Sequence, residues 1–185
     1  MLKTVAIAFG ILLATLVLVV LVGYCLPKSH VAARAIVLRQ NPVDVFALIS
    51  NFKDGASWRS DVRAVEILPS ASGRTRFREK GKNGAIAYEV INLNPPQRLV
   101  TQIADKNLPF GGTWTFDVLP TAEGTRLNIT ERGEVYNPVF RIVSRFILGH
   151  SRTLDTYLRN VSRKFGESAV PQEGKPAALQ AFSEP

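Results

Sequence analysis

Three patterns of apolar and polar positions follow one another along the chain. Residues Thr4–Leu26 form an apolar run without a charged side chain, as long as the roughly 20 residues that a helix needs to cross a bilayer. The central part alternates between helical and strand periodicity. The final residues are rich in Pro, Ala, Gly and Glu. The pattern therefore predicts an N-terminal membrane anchor helix (1–28), a folded domain (29–167) and a disordered tail (168–185).

A cleaved signal peptide is the alternative for the N-terminal run. The apolar core of such a peptide spans only about 7–15 residues, and the Ala-x-Ala pattern at Ala33–Ala35 falls inside the first predicted strand. Length thus favours an uncleaved, single-pass anchor. Lys3 precedes the run and Lys28, Arg34 and Arg39 follow it, a near tie under the positive-inside rule. The short N-terminal flank leans towards an exported, periplasmic domain.

The folded part begins with an extended run and a capped helix. Residues 31–40 predict a strand, and "NPVDVFALIS" predicts a short helix with Asn41 as N-cap and Pro42 at its first position. A second short helical piece carries Trp58. Six segments with period-2 alternation follow, separated by turn signals: "AVEILPS", "RTRFREKG", "AIAYEVINL", "RLVTQIA", "GTWTFDVLP" and "TRLNITERGEV". The short connections predict an antiparallel meander.

A long amphipathic helix is predicted to close the domain. Asn137 as N-cap and Pro138 at the first position mark its start, and Gly166 marks its end. At about 100° per residue, one side of this helix is apolar. The other side carries five arginines: Arg141, Arg145, Arg152, Arg159 and Arg163.

These elements predict an α+β fold in which a curved antiparallel sheet is accompanied by two short helices and one long C-terminal helix. An antiparallel sheet of this kind buries one face, and the long helix is the element available to cover it. One helix over a strongly bent sheet does not fill the space. We therefore expect a hollow between them.

The chain from His30 to about Glu167 resembles the SRPBCC (START/Bet v 1-like) superfamily, and especially its polyketide cyclase/dehydrase and lipid-transport branch. The resemblance rests on "NPVDVFALISNFKDGASW", "NPPQRLV", "GGTWTFDVLPTAEGTRLNITERGEV" and the closing helix. It implies a helix-grip fold around an apolar cavity that binds lipids, quinones, sterols, polyketides or similar molecules. The membrane anchor departs from the usual soluble member.

Strand alternation and the helical wheel select the side chains expected to face this hollow. The predicted ligand-binding residues are Phe77, Trp114, Phe116, Glu131, Phe146, His150, Leu154 and Tyr157. They combine apolar walls with a few polar groups that would orient a ligand. In an enzyme, His150, Tyr157 and Glu131 would be the general acid/base set; no catalytic residue is carried over from the family.

The net charge of +8 and the pI near 10 favour an anionic partner. A second basic row, Arg74, Arg76 and Arg78, lies opposite Phe77 on its strand. With the five helix arginines it is predicted to contact anionic lipid headgroups. The sequence favours the membrane over nucleic acid as this partner, because few exposed aromatics alternate with these charges and no nucleic-acid-binding motif is present.

Few other chemistries fit the composition. One cysteine excludes an internal disulfide, and two histidines offer no zinc-ligand spacing. No phosphate-binding glycine loop occurs, so neither a metal nor a cofactor is expected.

The favoured function is a membrane-anchored module that binds a hydrophobic small molecule or lipid in a helix–sheet cavity. One alternative is a polyketide cyclase/dehydratase-like enzyme. The other is a basic protein-interaction module whose cavity is closed.

Overall fold

The computed structural model describes residues 2–70, 73–82, 84–145 and 151–178. Eight strands form one antiparallel sheet in the order β2-β3-β4-β5-β6-β7-β1-β8. Their bounds are β1 Ser29–Leu38, β2 Val62–Leu68, β3 Arg76–Gly81, β4 Gly84–Asn94, β5 Arg98–Ile103, β6 Phe110–Thr121, β7 Gly124–Val135 and β8 Gln172–Glu173. The predicted first strand and six-strand meander correspond to β1–β7, so the α+β helix-grip fold is confirmed.

Five α-helices accompany the sheet in the described part of the chain: α1 Leu2–Cys25, α2 Pro42–Ser50, α3 Gly55–Trp58, α4 Pro138–Val143 and α5 Arg152–Lys164. A short 3₁₀ turn, Phe52–Asp54, joins α2 to α3. Helix α5 covers the concave face of the sheet. Its Leu154, Leu158 and Val161 are fully buried against strand residues such as Ile36 and Ile129. This interface is the core of the domain.

The predicted helix signals are confirmed. The Asn41 side chain accepts a hydrogen bond from the Asp44 N–H at 2.9 Å, and the Asn137 side chain accepts one from the Phe140 N–H at 3.0 Å. Gly166 has a φ of +70°, the left-handed conformation that follows many helix ends. The Glu167 N–H then reaches the Ser162 carbonyl at 2.9 Å, which closes α5.

The prediction of one continuous helix from Pro138 to Phe165 is wrong. Helix α4 ends at Val143, and α5 begins at Arg152. The two helices have different packing partners, because α4 contacts α1 whereas α5 lies on the sheet. Phe146 and His150, two predicted ligand-binding residues, lie outside the described residues.

Residues 168–178, predicted as part of a disordered tail, follow the sheet instead. β8 pairs with β1 at its outer edge. Beyond it, the Asn128 side chain donates to the Lys175 carbonyl at 3.0 Å, and the Ala177 N–H donates to the Thr130 hydroxyl at 2.9 Å. The sequence pattern missed these contacts because they satisfy backbone groups and bury few apolar side chains.

One end of the sheet collects several connections that matter for the site. Ser29, where β1 continues from the N-terminal helix, pairs with Glu134 near the end of β7. Gly81 and Gly84 pair across the β3–β4 turn. Because neighbouring strands are antiparallel, the start of β1 and the β3–β4 turn lie at the same end of the sheet.

Candidate functional site

A cavity of about 290 Å³ lies between the sheet, α3 and α5. Seven aromatic residues contribute to its wall: Phe52, Trp58, Phe77, Tyr88, Trp114, Phe116 and Tyr157. Exposed residues, among them Asn51, Lys82 and Thr153, also line it. The cavity therefore reaches the protein surface.

The aromatic side chains form two walls. Tyr157 on α5 meets Trp58 edge-on at 5.5 Å between ring centroids, and Trp114 edge-on at 5.8 Å. On the other wall Phe77 stacks between Phe52, at 4.2 Å, and Tyr88, at 5.4 Å. Such ring pairs stabilise each other by about 0.5–1.5 kcal/mol beyond their area burial. The walls are thus held in place before any molecule enters.

A buried ion cluster forms the polar end of the cavity. Arg59 follows α3, and its Nη2 donates to Asp61 Oδ2 at 2.7 Å. Its Nη1 donates to Glu79 Oε1. The same guanidinium lies 4.9 Å from the centroid of the Tyr157 ring, a cation–π distance. One cation is therefore matched by two carboxylates.

Helix α5 supports this cluster from behind. Asn160 is fully buried and donates to Asp61 Oδ1 at 3.1 Å. The Ser60 hydroxyl donates to Asn160 Oδ1 at 3.2 Å. These contacts tie the segment after α3 to the helix that covers the sheet.

Burial acts differently on the acid and the base of the cluster. For Arg59, burial lowers the pKa, but Glu79 and the Asp61 hydrogen bond raise it more, so the net pKa is above its ordinary value. For Glu79, burial raises the pKa and outweighs the opposing effect of Arg59. Arg59 therefore stays charged, and Glu79 holds a proton more readily than an exposed glutamate.

The two cavity tyrosines are kept neutral. Burial raises the pKa of Tyr88 and of Tyr157, with a smaller opposing contribution from Arg59. Both phenols therefore remain protonated hydrogen-bonding groups well above neutral pH.

The predicted ligand-binding residues separate into three groups. Phe77, Trp114, Phe116 and Tyr157 line the cavity. Leu154 is fully buried in the hydrophobic core and is not among the described residues that line it. The others are Glu131 and the pair outside the described residues, Phe146 and His150.

Glu131 does not join the cavity lining either. Its Oε1 lies 3.3 Å from His30 Nε2, across the β1–β7 pair. Alternation correctly places Glu131 on the inner face, opposite Trp114 in register, but one strand further toward β1. In the described part of the chain, Glu131 and Tyr157 are thus not brought together as an acid/base pair.

Sequence reasoning missed the ion cluster. Arg59 and Asp61 lie in a short segment without periodicity, and contacts with distant residues distinguish them: Glu79 for Arg59 and Asn160 for Asp61. Glu79 did leave a signal, since alternation puts it on the same face of β3 as Phe77.

The predicted headgroup arginines also differ in their surroundings. Arg74 lies 3.7 Å from Glu89, Arg78 lies 3.5 Å from Glu66, and both arginines are partly exposed. Arg76 is half-buried. The remaining exposed members are Arg145, Arg152, Arg159 and Arg163.

For Arg141 the structure contradicts the predicted solvent exposure. It is only 5% exposed, and its guanidinium donates to the backbone carbonyls of Val135 and Tyr136 at 2.8 and 3.0 Å. The prediction placed it on a solvent face because it assumed an unbroken helix. Arg141 is not available to a lipid headgroup.

A curved antiparallel sheet closed by one helix over an aromatic cavity defines a START/Bet v 1-like domain, a class of ligand-binding folds. The chain belongs to the polyketide cyclase / dehydrase and lipid transport family, whose model matches residues 30–164. The predicted superfamily is confirmed.

Solved structures of low sequence identity share this fold. A START superfamily protein from Mycobacterium smegmatis is 15% identical, with a TM-score of 0.59 over 73% of this chain and 96% of that one. Norcoclaurine synthase from Thalictrum flavum is 14% identical, with a TM-score of 0.60 over 75% and 87%. The di-domain ARO/CYC StfQ of the steffimycin biosynthetic pathway is 13% identical, with a TM-score of 0.60 over 75% and 53%. A search of curated proteins finds no match.

The N-terminal helix is compatible with membrane insertion. Within the described residues, Lys3–Cys25 is the one helix long and apolar enough to cross a bilayer. Length and composition are shared by membrane spans and signal sequences.

Proposed function

We propose that the protein is a membrane-anchored module that binds an apolar small molecule or lipid in the cavity between the sheet and α5. The observation that carries the proposal is the aromatic cavity that reaches the surface. Its volume of about 290 Å³ is at the lower end of the usual range for ligand pockets. A single alkyl chain or a small fused-ring molecule fits this space.

The position of the cavity supports uptake from a membrane. Lys82 and Gly84, at the β3–β4 turn, line the cavity, and this turn lies at the same end of the sheet as the start of β1. The anchor α1 leads directly into β1. A bilayer spanned by α1 would therefore face the end of the domain where the guest enters.

The ion cluster favours a guest with a neutral polar group. Arg59 is already matched by Asp61 and Glu79, so a guest carboxylate at this end of the cavity would meet two acids. Among the described lining residues, the other cation is Lys82, which lies exposed at the mouth. Trp58 offers a buried indole N–H that has no hydrogen-bond acceptor among the described residues. A guest hydroxyl or carbonyl oxygen would accept from it after a small rotation of the indole ring toward the cavity. We therefore expect a fatty alcohol, a sterol-like alcohol or a neutral polyketide rather than a fatty acid.

The predicted headgroup contacts follow from the same orientation. Arg145 and Arg152 flank the connection from α4 to α5, and Thr153 lines the cavity. These two exposed arginines would lie near the bilayer. Arg159 and Arg163, further along α5, and Arg74, before the start of β3, would lie farther from it.

Tryptophan quenching provides a direct test. Both tryptophans of the chain, Trp58 and Trp114, line the cavity. The full chain in lipid nanodiscs would be titrated with 11-bromoundecanol and with 11-bromoundecanoate, since bromine quenches indole on contact. We expect saturable quenching by the alcohol, and at least about tenfold weaker binding of the acid, a difference of about 1.4 kcal/mol. Absence of saturable quenching by either probe would contradict the proposal.

A matched pair of variants separates the cavity from the bilayer. Thr101 is buried in the cavity wall and the next residue of β5, Gln102, is exposed. Thr101→Phe should abolish quenching by filling the space, whereas Gln102→Phe should leave it unchanged. Equal quenching in both variants would place the probes in the lipid and not in the protein.

One observation favours a second candidate, a dehydratase-like enzyme. Glu79, whose pKa is raised by burial, lies beside an apolar space where a protonated carboxyl can act as a general acid. Mass spectrometry of apolar compounds extracted with the protein would test this. In an enzyme, Glu79→Gln should accumulate a compound heavier by one water than that found with the wild type. Identical extracts would favour binding alone.

A further inference from the structure

Helix α4 is apolar around its circumference. Its sequence is "PVFRIV", and its only charged residue, Arg141, is turned inward and buried. Val139 is 39% exposed, and Ile142 and Val143 are half-buried. A surface helix in water normally carries a polar face, and α4 has none.

Arg141 fixes α4 to the end of α1. Its Nη1 lies 3.3 Å from the carbonyl oxygens of both Gly23 and Leu26. Carbonyls at a helix C-terminus lack intrahelical partners and carry partial negative charge. Gly23 also allows close packing, since a Cβ there would lie 2.2 Å from the Pro138 carbonyl oxygen. These contacts therefore fix the position of α4 relative to the C-terminal end of α1.

Aromatic and basic side chains surround this junction. Tyr24, in the last turn of α1, is 67% exposed, and Tyr136, just before α4, is 48% exposed. Phe140 of α4 stacks on Phe110 with centroids 6.1 Å apart. Exposed Lys28 follows α1. Tyrosines at the end of a spanning helix, followed by a cation, are typical of the membrane–water interface.

We propose that α4 is a second membrane contact, which lies in the bilayer surface beside the point where α1 leaves it. Val139 and its apolar neighbours contact acyl chains, and Tyr24 and Tyr136 lie at the level of the headgroups. The partner is the lipid surface that α1 spans, so the inference rests on the anchor in the proposed function. The domain is then held in one orientation instead of moving freely on a tether.

Site-directed labelling in the full chain tests this contact. The single cysteine, Cys25, is exposed and would be replaced by serine. Single cysteines would be introduced at Val139, at Leu119 and at Leu18. Leu119 is the matched control, an apolar residue that is 48% exposed near the β6–β7 turn, at the opposite end of the sheet. Each would carry an environment-sensitive fluorophore in nanodiscs with or without doxyl-labelled lipid.

The three positions give distinguishable outcomes. We expect doxyl lipid to cause a loss of fluorescence at Leu18→Cys and at Val139→Cys, and no loss at Leu119→Cys. Loss at Leu18→Cys alone would overturn the α4 contact and leave the anchor intact. No loss at Leu18→Cys would overturn the anchor itself. Loss at Leu119→Cys equal to that at Val139→Cys would mean non-specific adsorption and would also overturn the proposal.

Discussion

Arg59 and Arg141 are both largely removed from solvent, and their guanidinium groups have different kinds of hydrogen-bond partner. Arg59, in the cavity, is paired with the carboxylates of Asp61 and Glu79. Arg141, at the junction of α1 and α4, donates to four backbone carbonyls, and in the described residues it has no carboxylate partner. The first arrangement leaves a polar surface open to a guest. The second uses four guanidinium hydrogen bonds to fix pieces of backbone relative to one another.

The kind of partner distinguishes a ligand-binding site, at Arg59, from a purely structural contact between helices, at Arg141. A carboxylate retains lone pairs and can exchange its proton, so the Arg59 cluster can respond to a ligand or to pH. Backbone carbonyls cannot titrate, so the Arg141 cluster can only hold or break. The predictions below test this contrast.

Arg59→Met should have the largest effect, a loss of about 3 kcal/mol in the free energy of unfolding, because it leaves the largely buried Glu79 and the partly exposed Asp61 without a cation. Adding Glu79→Gln should recover part of the loss. Urea denaturation of the full chain in nanodiscs, followed by tryptophan fluorescence, measures both. Arg78→Met, on an exposed pair with Glu66, is the control and should cost less than about 1 kcal/mol. Additive effects of the Arg59 and Glu79 changes would show that the cluster is not coupled.

Arg141→Gln should cost about 2–3 kcal/mol, because buried carbonyls lose charged donors. Arg141→Lys should recover little, since an ammonium group lacks the planar fork of donors. Thermal unfolding in nanodiscs checks both variants, with exposed Arg145→Gln as the control. A stable Arg141→Lys variant would mean that charge matters here and donor geometry does not.

Asn160→Leu should destabilise the domain by about 1–2 kcal/mol, because Asp61 loses a buried hydrogen-bond donor. It should also weaken the bromoundecanol quenching. Without Asn160, Asp61 would no longer be held in line with Arg59, and the polar end of the cavity would change its shape. Arg159→Leu, at the exposed neighbouring position of α5, should change stability by less than about 0.5 kcal/mol. Unchanged probe binding in Asn160→Leu would argue that α5 supports the cluster for stability only.

The cavity tyrosines should ionise late. Because burial raises the pKa of Tyr157 in the fold, the neutral phenol contributes stability that is complete below the unfolded value of about 10 and is lost as pH rises through the folded value. Phenolate absorbance during an alkaline titration should therefore show a late component, which Tyr157→Phe reduces. Loss of amplitude only from the early component would contradict the burial.

Local signals explain why most of the fold could be predicted. Asn41 and Asn137 mark helix starts because their side chains cap the first turn. The alternation in β6 and β7 indicates which face of the sheet is buried. The break between α4 and α5 could not be predicted in this way. Helical periodicity continues in the sequence from α4 to α5, whereas the contact of α4 with α1 joins elements that are remote in sequence.

Local patterns also predicted only part of the candidate site. Phe77, Trp114 and Phe116 follow from alternation within single strands. Arg59 takes its role from partners on β3 and α5, which are remote in sequence, so no local pattern marks it. Arg141 was assigned to the solvent face because the prediction used one helical wheel for both α4 and α5.

The short strand β8 has a consequence for self-association. Unpaired backbone groups at a sheet edge can recruit strands from other molecules. β8 occupies part of the outer side of β1, whereas β2 ends the sheet on the other side. β2 carries the charged residues Arg63 and Glu66, which discourage such recruitment. The two edges of the sheet are thus protected from strand addition in different ways. The C-terminal segment covers part of one edge, and charged side chains lie along the other.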